Sequence, residues 1–319
     1  MGIESVLEVA SAVAPVFILI VMGLLARGFR WLSRESDDSL LKITFRFLYP
    51  CFIFEKVFAE ESLADLDVIW WPISGGFLSI ILGFGVAFAV ATFLRIDDKA
   101  TRRAFVFTAG IFNYGYFAIP VCEAIFGESF VGKLLVFNLG VELAIWGVGV
   151  LLIGGGSSGV GRLFNPPILA LVLALWMNYA GWGAFCPEFA IGAIEMVGAC
   201  AIPVGLLLIG ATTLDLWREQ RTSSWNWQVA GGGSLVRLAL LPSIMIAVAR
   251  WAPFPSDVNW LREIFVLQAA MPAGIFAIVI ARYYRANTQV TAQTMAPTIL
   301  ACIVTLPTWL AFGLWAIEC

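Results

Sequence analysis

Apolar runs long enough to cross a bilayer follow one another through this chain, parted by short stretches that carry most of its charge. A hydrocarbon layer of about 30 Å takes about 20 helical residues. The pattern predicts ten helices, near residues 6–26, 38–58, 69–94, 103–126, 132–153, 163–181, 189–214, 229–250, 262–284 and 290–316. Two of these are interrupted. The fourth carries Asn113, Gly115 and Pro120 at mid-membrane depth, and the ninth carries Pro272 and Gly274. Proline lacks the amide donor and glycine loosens the backbone, so both helices are expected to break or unwind there.

The two interrupted helices are also one segment written twice. RAFVFTAGIFNYGYFAIPVCEAIF (Arg103 to Phe126) aligns without a gap on REIFVLQAAMPAGIFAIVIARYYR (Arg262 to Arg285). Arg103 meets Arg262, Gly115 meets Gly274, and Phe117-Ala118-Ile119 meets Phe276-Ala277-Ile278. Pro15 aligns with Pro167 and Pro50 with Pro203, so helices 1–5 match helices 6–10 at offsets of 152, 153 and 159 residues. Five is odd, so the second half enters the membrane from the opposite side. The predicted fold is an all-α polytopic membrane protein of two inverted five-helix repeats, with broken helices 4 and 9 crossing at the midplane. The first repeat spans 1–153, a short Gly/Ser linker spans 154–162, and the second repeat spans 163–319. The linker stretch from Gly154 to Gly159 spells GxGxxG, but no strand precedes it and it joins two spans, so nucleotide binding is not expected. Interrupted segments at matching positions of two halves mark a secondary transporter's binding site.

Composition agrees. Hydrophobic residues make up 61% of the chain and charged residues 13%, against about 25% charged in an average soluble domain. Soluble classes are therefore excluded. The chain has no His, which removes the commonest general base and the usual zinc ligand sets. With no paired intramembrane Asp and no exposed Ser–base arrangement, neither an enzyme nor a metal or cofactor is expected. Cys51, Cys122, Cys186, Cys200, Cys302 and Cys319 lie mostly in apolar runs without a CxxC pair, and read as buried thiols. Glu4 and Glu8, with no Lys or Arg, precede the first run, which reads as a retained helix rather than a signal peptide.

Basic residues set the orientation, because cytoplasmic loops collect Lys and Arg. One set of loops holds Arg27, Arg30, Arg34, Arg95, Lys99, Arg102, Arg103, Arg162, Arg218, Arg221, Arg282 and Arg285. The alternate set holds only Lys56, Lys133, Arg250 and Arg262, together with the acidic run from Glu60 to Asp67. Both termini are thus expected outside, in a plasma (bacterial inner) membrane. Trp70, Trp71, Trp182, Trp225, Trp227, Trp251 and Trp260 cluster at span ends, where interfacial belts form.

The candidate site follows from the interruptions. Unwound backbone exposes groups that lipid leaves unsatisfied, and the half-helix N-termini turn partial positive charge toward the midplane, which suits a carboxylate. Candidate binding residues are Asn113, Tyr114, Gly115, Pro120, Gln268, Met271, Pro272 and Gly274. Glu142, at the middle of helix 5, is a candidate proton- or ion-coupling group, because an ionisable residue at that depth costs about 2.5–3.5 kcal/mol to insert. Glu123 is a second candidate. Glu195 and Arg237 are read as structural, with Arg237 snorkelling or pairing. Lys42 and Arg46 are read as orientation anchors.

These features together resemble the auxin efflux carrier family, which includes the plant PIN proteins and many bacterial members. The residues that carry the resemblance are Asn113, Gly115 and Pro120 followed by Phe126-Gly127, then Asn165-Pro166-Pro167, Ile202-Pro203 with Gly210, and Ala270-Met271-Pro272-Ala273 with Tyr283. The resemblance covers nearly the whole chain. It implies a scaffold of helices 1, 2, 6 and 7, and a mobile domain of helices 3, 4, 5, 8, 9 and 10 that holds a small organic anion. It also implies a homodimer through scaffold helices. The chain departs from plant members in its loop of under ten residues between the halves, and its first interruption, Asn113 to Pro120, is bulkier than is usual. Both departures favour a compact prokaryotic member. The expected function is a secondary active carrier for a small organic anion, with H+ or Na+ as coupling ion and no nucleic-acid partner. The alternatives are a sodium-coupled symporter of the bile-acid type on the same architecture, or a channel or ligand-sensing receptor.

Overall fold

The computed structural model describes residues 3–60, 66–154, 165–182, 186–220 and 225–318. The linker beyond Gly154, most of the acidic run after Glu60, and Arg162, Arg221 and Cys319 lie outside the described residues.

Every regular element among the described residues is helical. In the first half, α1 (Ile3–Gly28) precedes α2 (Arg34–Ile43), which runs through a π turn at Thr44–Leu48 into α3 (Tyr49–Phe58). Then come α4 (Leu66–Phe93), α5 (Lys99–Gly110) and α6 (Ala118–Phe126). α7 (Glu128–Ala144) passes through a π turn at Ile145–Gly149 into α8 (Val150–Ile153). The second half has α9 (Pro166–Tyr179), α10 (Glu188–Gly198) and α11 (Ala201–Gln220). α12 (Trp227–Leu235) crosses a third π turn at Val236–Leu240 into α13 (Leu241–Trp251). α14 (Leu261–Ala270), α15 (Phe276–Tyr283) and α16 (Thr288–Glu318) complete the chain.

Six helical stretches among the described residues are long and apolar enough to cross a membrane: Val6–Gly28, Val68–Phe93, Glu128–Ile153, Glu188–Asp215, Trp227–Trp251 and Thr288–Glu318. The other expected spans fall short for identifiable reasons. Two are divided, α5 from α6 and α14 from α15. The helix that ends at Phe58 opens with the charged stretch RESDDSLLK. α9 has only 14 residues, about 21 Å of helix.

Side-chain oxygens start several of these helices by accepting orphan amides of the first turn. Asp98 accepts from Thr101 N at 2.8 Å, Asn165 from Ile168 N at 3.0 Å, and Asn226 from Gln228 N at 3.0 Å. Pro166 and Pro167 open α9, where a missing amide costs nothing.

Packing relies on glycine. Without a hydrophobic drive between helices in lipid, small residues that let backbones approach carry the association. A Cβ on Gly23 of α1 would lie 2.1 Å from the Leu207 carbonyl oxygen of α11, and one on Gly210 would lie 1.9 Å from that of Ile20. α4 and α7 meet the same way, with Gly140 against Ile73 O at 1.8 Å and Gly76 against Phe137 O at 2.0 Å. The first helix of each half packs on the second helix of the other, α1 on α11 and α9 on α3. Likewise α4 packs on α7 in the first half, as α12 and α13 pack on α16 in the second. At the end of α1, Arg27 pairs with Asp37 at 2.5 Å and with Asp215 at 3.3 Å, and Arg34 pairs with Asp215 at 3.1 Å.

Candidate functional site

The two interruptions meet. Residues 111–117 separate α5 from α6, and residues 271–275 separate α14 from α15. Ile111 and Met271, which close the two preceding helices, are both extended, at φ −97°, ψ 123° and φ −71°, ψ 142°. At Met271 the cause is local, because the ring of Pro272 disfavours helical backbone in the residue before it. Pro120 acts differently from expectation. It is the third residue of α6, in a first turn where a missing amide is tolerated, so the first break lies upstream of it.

Across the breaks the backbone pairs as an antiparallel bridge between Phe112 and Ala273. Asn113 N donates to Pro272 O at 2.9 Å, and Gly274 N donates to Ile111 O at 2.8 Å. Ala273 N donates to Thr298 Oγ1 of α16 at 3.1 Å. These bonds satisfy amides that lipid would leave unpaired. Glycine is needed at 274, where a Cβ would stand 2.9 Å from the Phe112 carbonyl oxygen.

A chain of polar side chains surrounds this bridge. Tyr114 donates its hydroxyl to Glu142 Oε1 at 2.5 Å, and Trp146 Nε1 donates to Glu142 Oε2 at 2.6 Å. Asn138 Nδ2 donates to the Tyr114 carbonyl at 2.9 Å, which leaves Asn138 Oδ1 to accept from Gln268 Nε2 at 3.1 Å. That orientation turns Gln268 Oε1 away, and it is buried without a partner, as is Asn113 Nδ2. Arg237 of the third π turn donates to the carbonyls of Met271 at 3.2 Å and Gln268 at 3.3 Å. Its guanidinium lies 5.4 Å from the centre of the Phe112 ring.

A cluster of aromatic side chains borders the first break. Tyr49, Tyr114, Gly115, Tyr116 and Glu142 keep partial access, whereas Phe112, Asn113 and Phe117 are buried. Tyr49 and Tyr116 face each other at 5.8 Å, and Phe276 of α15 contacts Phe45 at 6.4 Å and Trp146 at 6.0 Å. A separate apolar groove of about 750 Å³ lies between α13 and α16, lined by Trp251, Trp309 and Trp315 among others, and includes none of these residues.

The structure therefore brings together Asn113, Tyr114, Gly115, Gln268, Met271, Pro272 and Gly274, with Glu142 joined through Tyr114. Pro120 and Glu123 lie along α6 and take no part in this hydrogen-bonded network. Arg237 neither snorkels nor pairs with an acid among the described residues; it is 1% exposed, and its Nε and Nη2 donate to the carbonyls of Met271, Gln268 and Ala269. Asn138 was missed, although its spacing from Glu142 puts both on one face of α7, a signal the sequence did hold. Thr298 had no such signal, since a hydroxyl in an apolar helix usually bonds its own backbone.

The chain matches the model of the family described as membrane transport protein over residues 8–159 and again over 155–310. It is 23% identical over 303 residues to an uncharacterized transporter of Methanothermobacter thermautotrophicus, covering 93% of this chain and 96% of that protein. It is 21% identical over 320 residues to the uncharacterized transporter YfdV of Escherichia coli K12, covering 93% and 95%. Among the described residues, six apolar membrane-length helices and two facing helix breaks join a family match along nearly the whole chain, and they lead to one conclusion. This chain belongs to the membrane transport protein family, the auxin-efflux-carrier-like group, and is an integral membrane transporter with prokaryotic relatives.

Proposed function

We propose that this protein is a secondary active carrier for a small organic anion, a carboxylate, bound where the two helix breaks face each other. The observation that carries the reading is the reciprocal backbone pairing of Asn113 with Pro272 and of Gly274 with Ile111. Irregular backbone at membrane depth belongs where it lines a ligand site or cavity, and half-buried aromatic side chains stand beside it. In this reading the chain is ten spans in two inverted repeats, with helices 4 and 9 crossing at the midplane. The reciprocal packing of α1 on α11 and α9 on α3 supports that symmetry.

Transport proceeds by alternating access, α4–α8 and α12–α16 moving against a scaffold of α1–α3 and α9–α11. The aromatic cluster lies on that seam. Phe45 and Tyr49 come from the scaffold, and Tyr116 and Phe276 from the moving part, so their contacts change as the site turns from one side to the other. Glu142 carries the coupling proton and signals its charge to the break through Tyr114. Both termini face outward from the inner membrane. Two copies associate through the scaffold, where Leu169, Val172, Leu173 and Trp176 present an exposed apolar face on α9.

Counterflow of labelled carboxylates into proteoliposomes tests the reading. Saturable counterflow that Asn113→Ala slows at least about tenfold is the expected result. Linear, non-saturating flux would indicate a channel, and flux strictly dependent on Na+ would favour the sodium symporter.

A further inference from the structure

Four half-helix ends converge at the paired breaks. α5 and α14 point their C-termini there, and α6 and α15 their N-termini. Each end carries about half a charge, negative at a C-terminus and positive at an N-terminus, so the four nominally cancel. Helix dipoles alone therefore give this site little preference for an anion, and some other group has to supply it.

Arg237 is placed to do so. It is the largest fully buried side chain among the described residues, 1% exposed. Its Nε and Nη2 contact the carbonyls of Met271, Gln268 and Ala269, the last turn of α14 and the break itself. Those contacts neutralise one of the two negative helix ends. Its Nη1 is buried with no partner, and among the described residues no carboxylate pairs with the guanidinium. A buried charge is ordinarily paired, because its desolvation costs several kcal/mol that neutral carbonyls only partly return. Asn113 Nδ2, on the opposite break, is a second buried donor without a partner. Glu142 lies beyond the Phe112 and Tyr114 rings, which contact each other edge-on at 6.4 Å, and its two oxygens are occupied by Tyr114 and Trp146.

We propose that Arg237 is the charge-selecting residue of the site: a fixed cation, seated on the C-terminal carbonyls of α14, whose free Nη1 and the Asn113 amide await the carboxylate of the substrate. The proposal rests on the carrier reading above and adds which residue makes the site prefer an anion. Arg237 lies on a π turn, which rotates the chain out of α-helical register at that residue. The π turn is thus a means of pointing an otherwise lipid-depth arginine at the breaks.

The test uses matched probes that differ in charge and hardly in shape: acetate and acetamide, lactate and lactamide, benzoate and benzamide. Each is titrated against purified full-length protein, with the rise in unfolding temperature as readout. Wild type is expected to favour at least one carboxylate over its amide. Arg237→Gln is expected to bind that carboxylate at least about tenfold more weakly, the worth of one charge-assisted hydrogen bond, and no better than the amide. Arg237→Lys, which keeps the charge, is expected to keep the preference. A merely structural role would weaken both members of a pair alike, so an unchanged carboxylate-to-amide ratio in Arg237→Gln overturns the proposal while leaving the carrier reading intact. If Arg237→Gln does not fold, Arg237→Lys decides, and loss of the preference there overturns the proposal. A wild-type protein that favours no carboxylate over its amide overturns the anion reading itself.

Discussion

Tyr114, in the first helix break, donates its hydroxyl to Glu142 of α7 at 2.5 Å, and the same tyrosine's carbonyl accepts from Asn138 one turn earlier on α7. The break is thereby tied twice to the helix that carries the Glu142 carboxylate. Any change in the charge of Glu142 alters one of the bonds that position the break. Glu142→Gln removes that change, so transport that varies with pH in the wild type is expected to become flat, while ligand binding is spared. A wild-type pH profile in the variant would reject a proton role for Glu142.

Asn113→Ala should remove a ligand contact without unpicking the breaks. The bond to Pro272 O comes from the Asn113 backbone amide, which alanine keeps. Its side-chain Nδ2 has no partner to lose. The variant is expected to melt like wild type and to transport at least about tenfold more slowly, since a buried hydrogen bond to a charged group is worth about 1.5–3 kcal/mol. Wild-type rates would place the substrate elsewhere.

Gly140→Ala tests the opposite kind of position. Its Cβ would stand 1.8 Å from the Ile73 carbonyl oxygen, so α4 and α7 must separate. The expected cost is about 1–3 kcal/mol or more, seen as a lower melting temperature and poorer recovery from the membrane. Gly115→Ala is the control, because its Cβ meets only the Tyr49 hydroxyl at 3.6 Å. Equal melting temperatures for the two variants would contradict the packing.

The orientation is open to cysteine labelling in a background stripped of the native thiols. Cysteines at Arg34, Lys99 and Arg218 should react from the cytoplasm, and cysteines at Ser129 and Ser256 from outside. A mixed pattern would remove the inverted repeat along with the topology.

Asp98 gives a pH dependence outside the membrane. Hydrogen bonds from the side chain and backbone amide of Thr101 hold its carboxyl below the usual carboxylate range. A group whose folded value is depressed stabilises above its unfolded value and loses that contribution as pH falls through the folded one. Asp98→Ala should therefore lower the unfolding temperature at neutral pH, with the difference shrinking on acidification through the carboxylate range. A constant difference would show that the cap does not act through charge.

The apolar spans and the two interrupted helices were legible in the chain, because each depends on short-range rules. Run length sets what can cross a bilayer, and Gly or Pro weakens a helix wherever it occurs. The grouping of Asn113, Gly115, Pro272 and Gly274 followed from that, since unwound backbone that lipid cannot satisfy pairs with other unwound backbone. Even locally, composition misled at Pro120, whose effect depends on whether it falls inside a break or in the first turn of the helix that follows. Three features were decided by tertiary structure. Arg237 became part of the site because a π turn aims it at carbonyls of another helix, 31 to 34 residues away in sequence. Asn138 acquired its role from joining Tyr114 to Gln268, which is 130 residues away in sequence. The sign of the field at the breaks depended on which helix ends converge and which of them is capped. Apolar periodicity records which face of a helix avoids water; it holds no record of which carbonyl on another helix a buried cation will meet, because that distance exists only once the helices have packed.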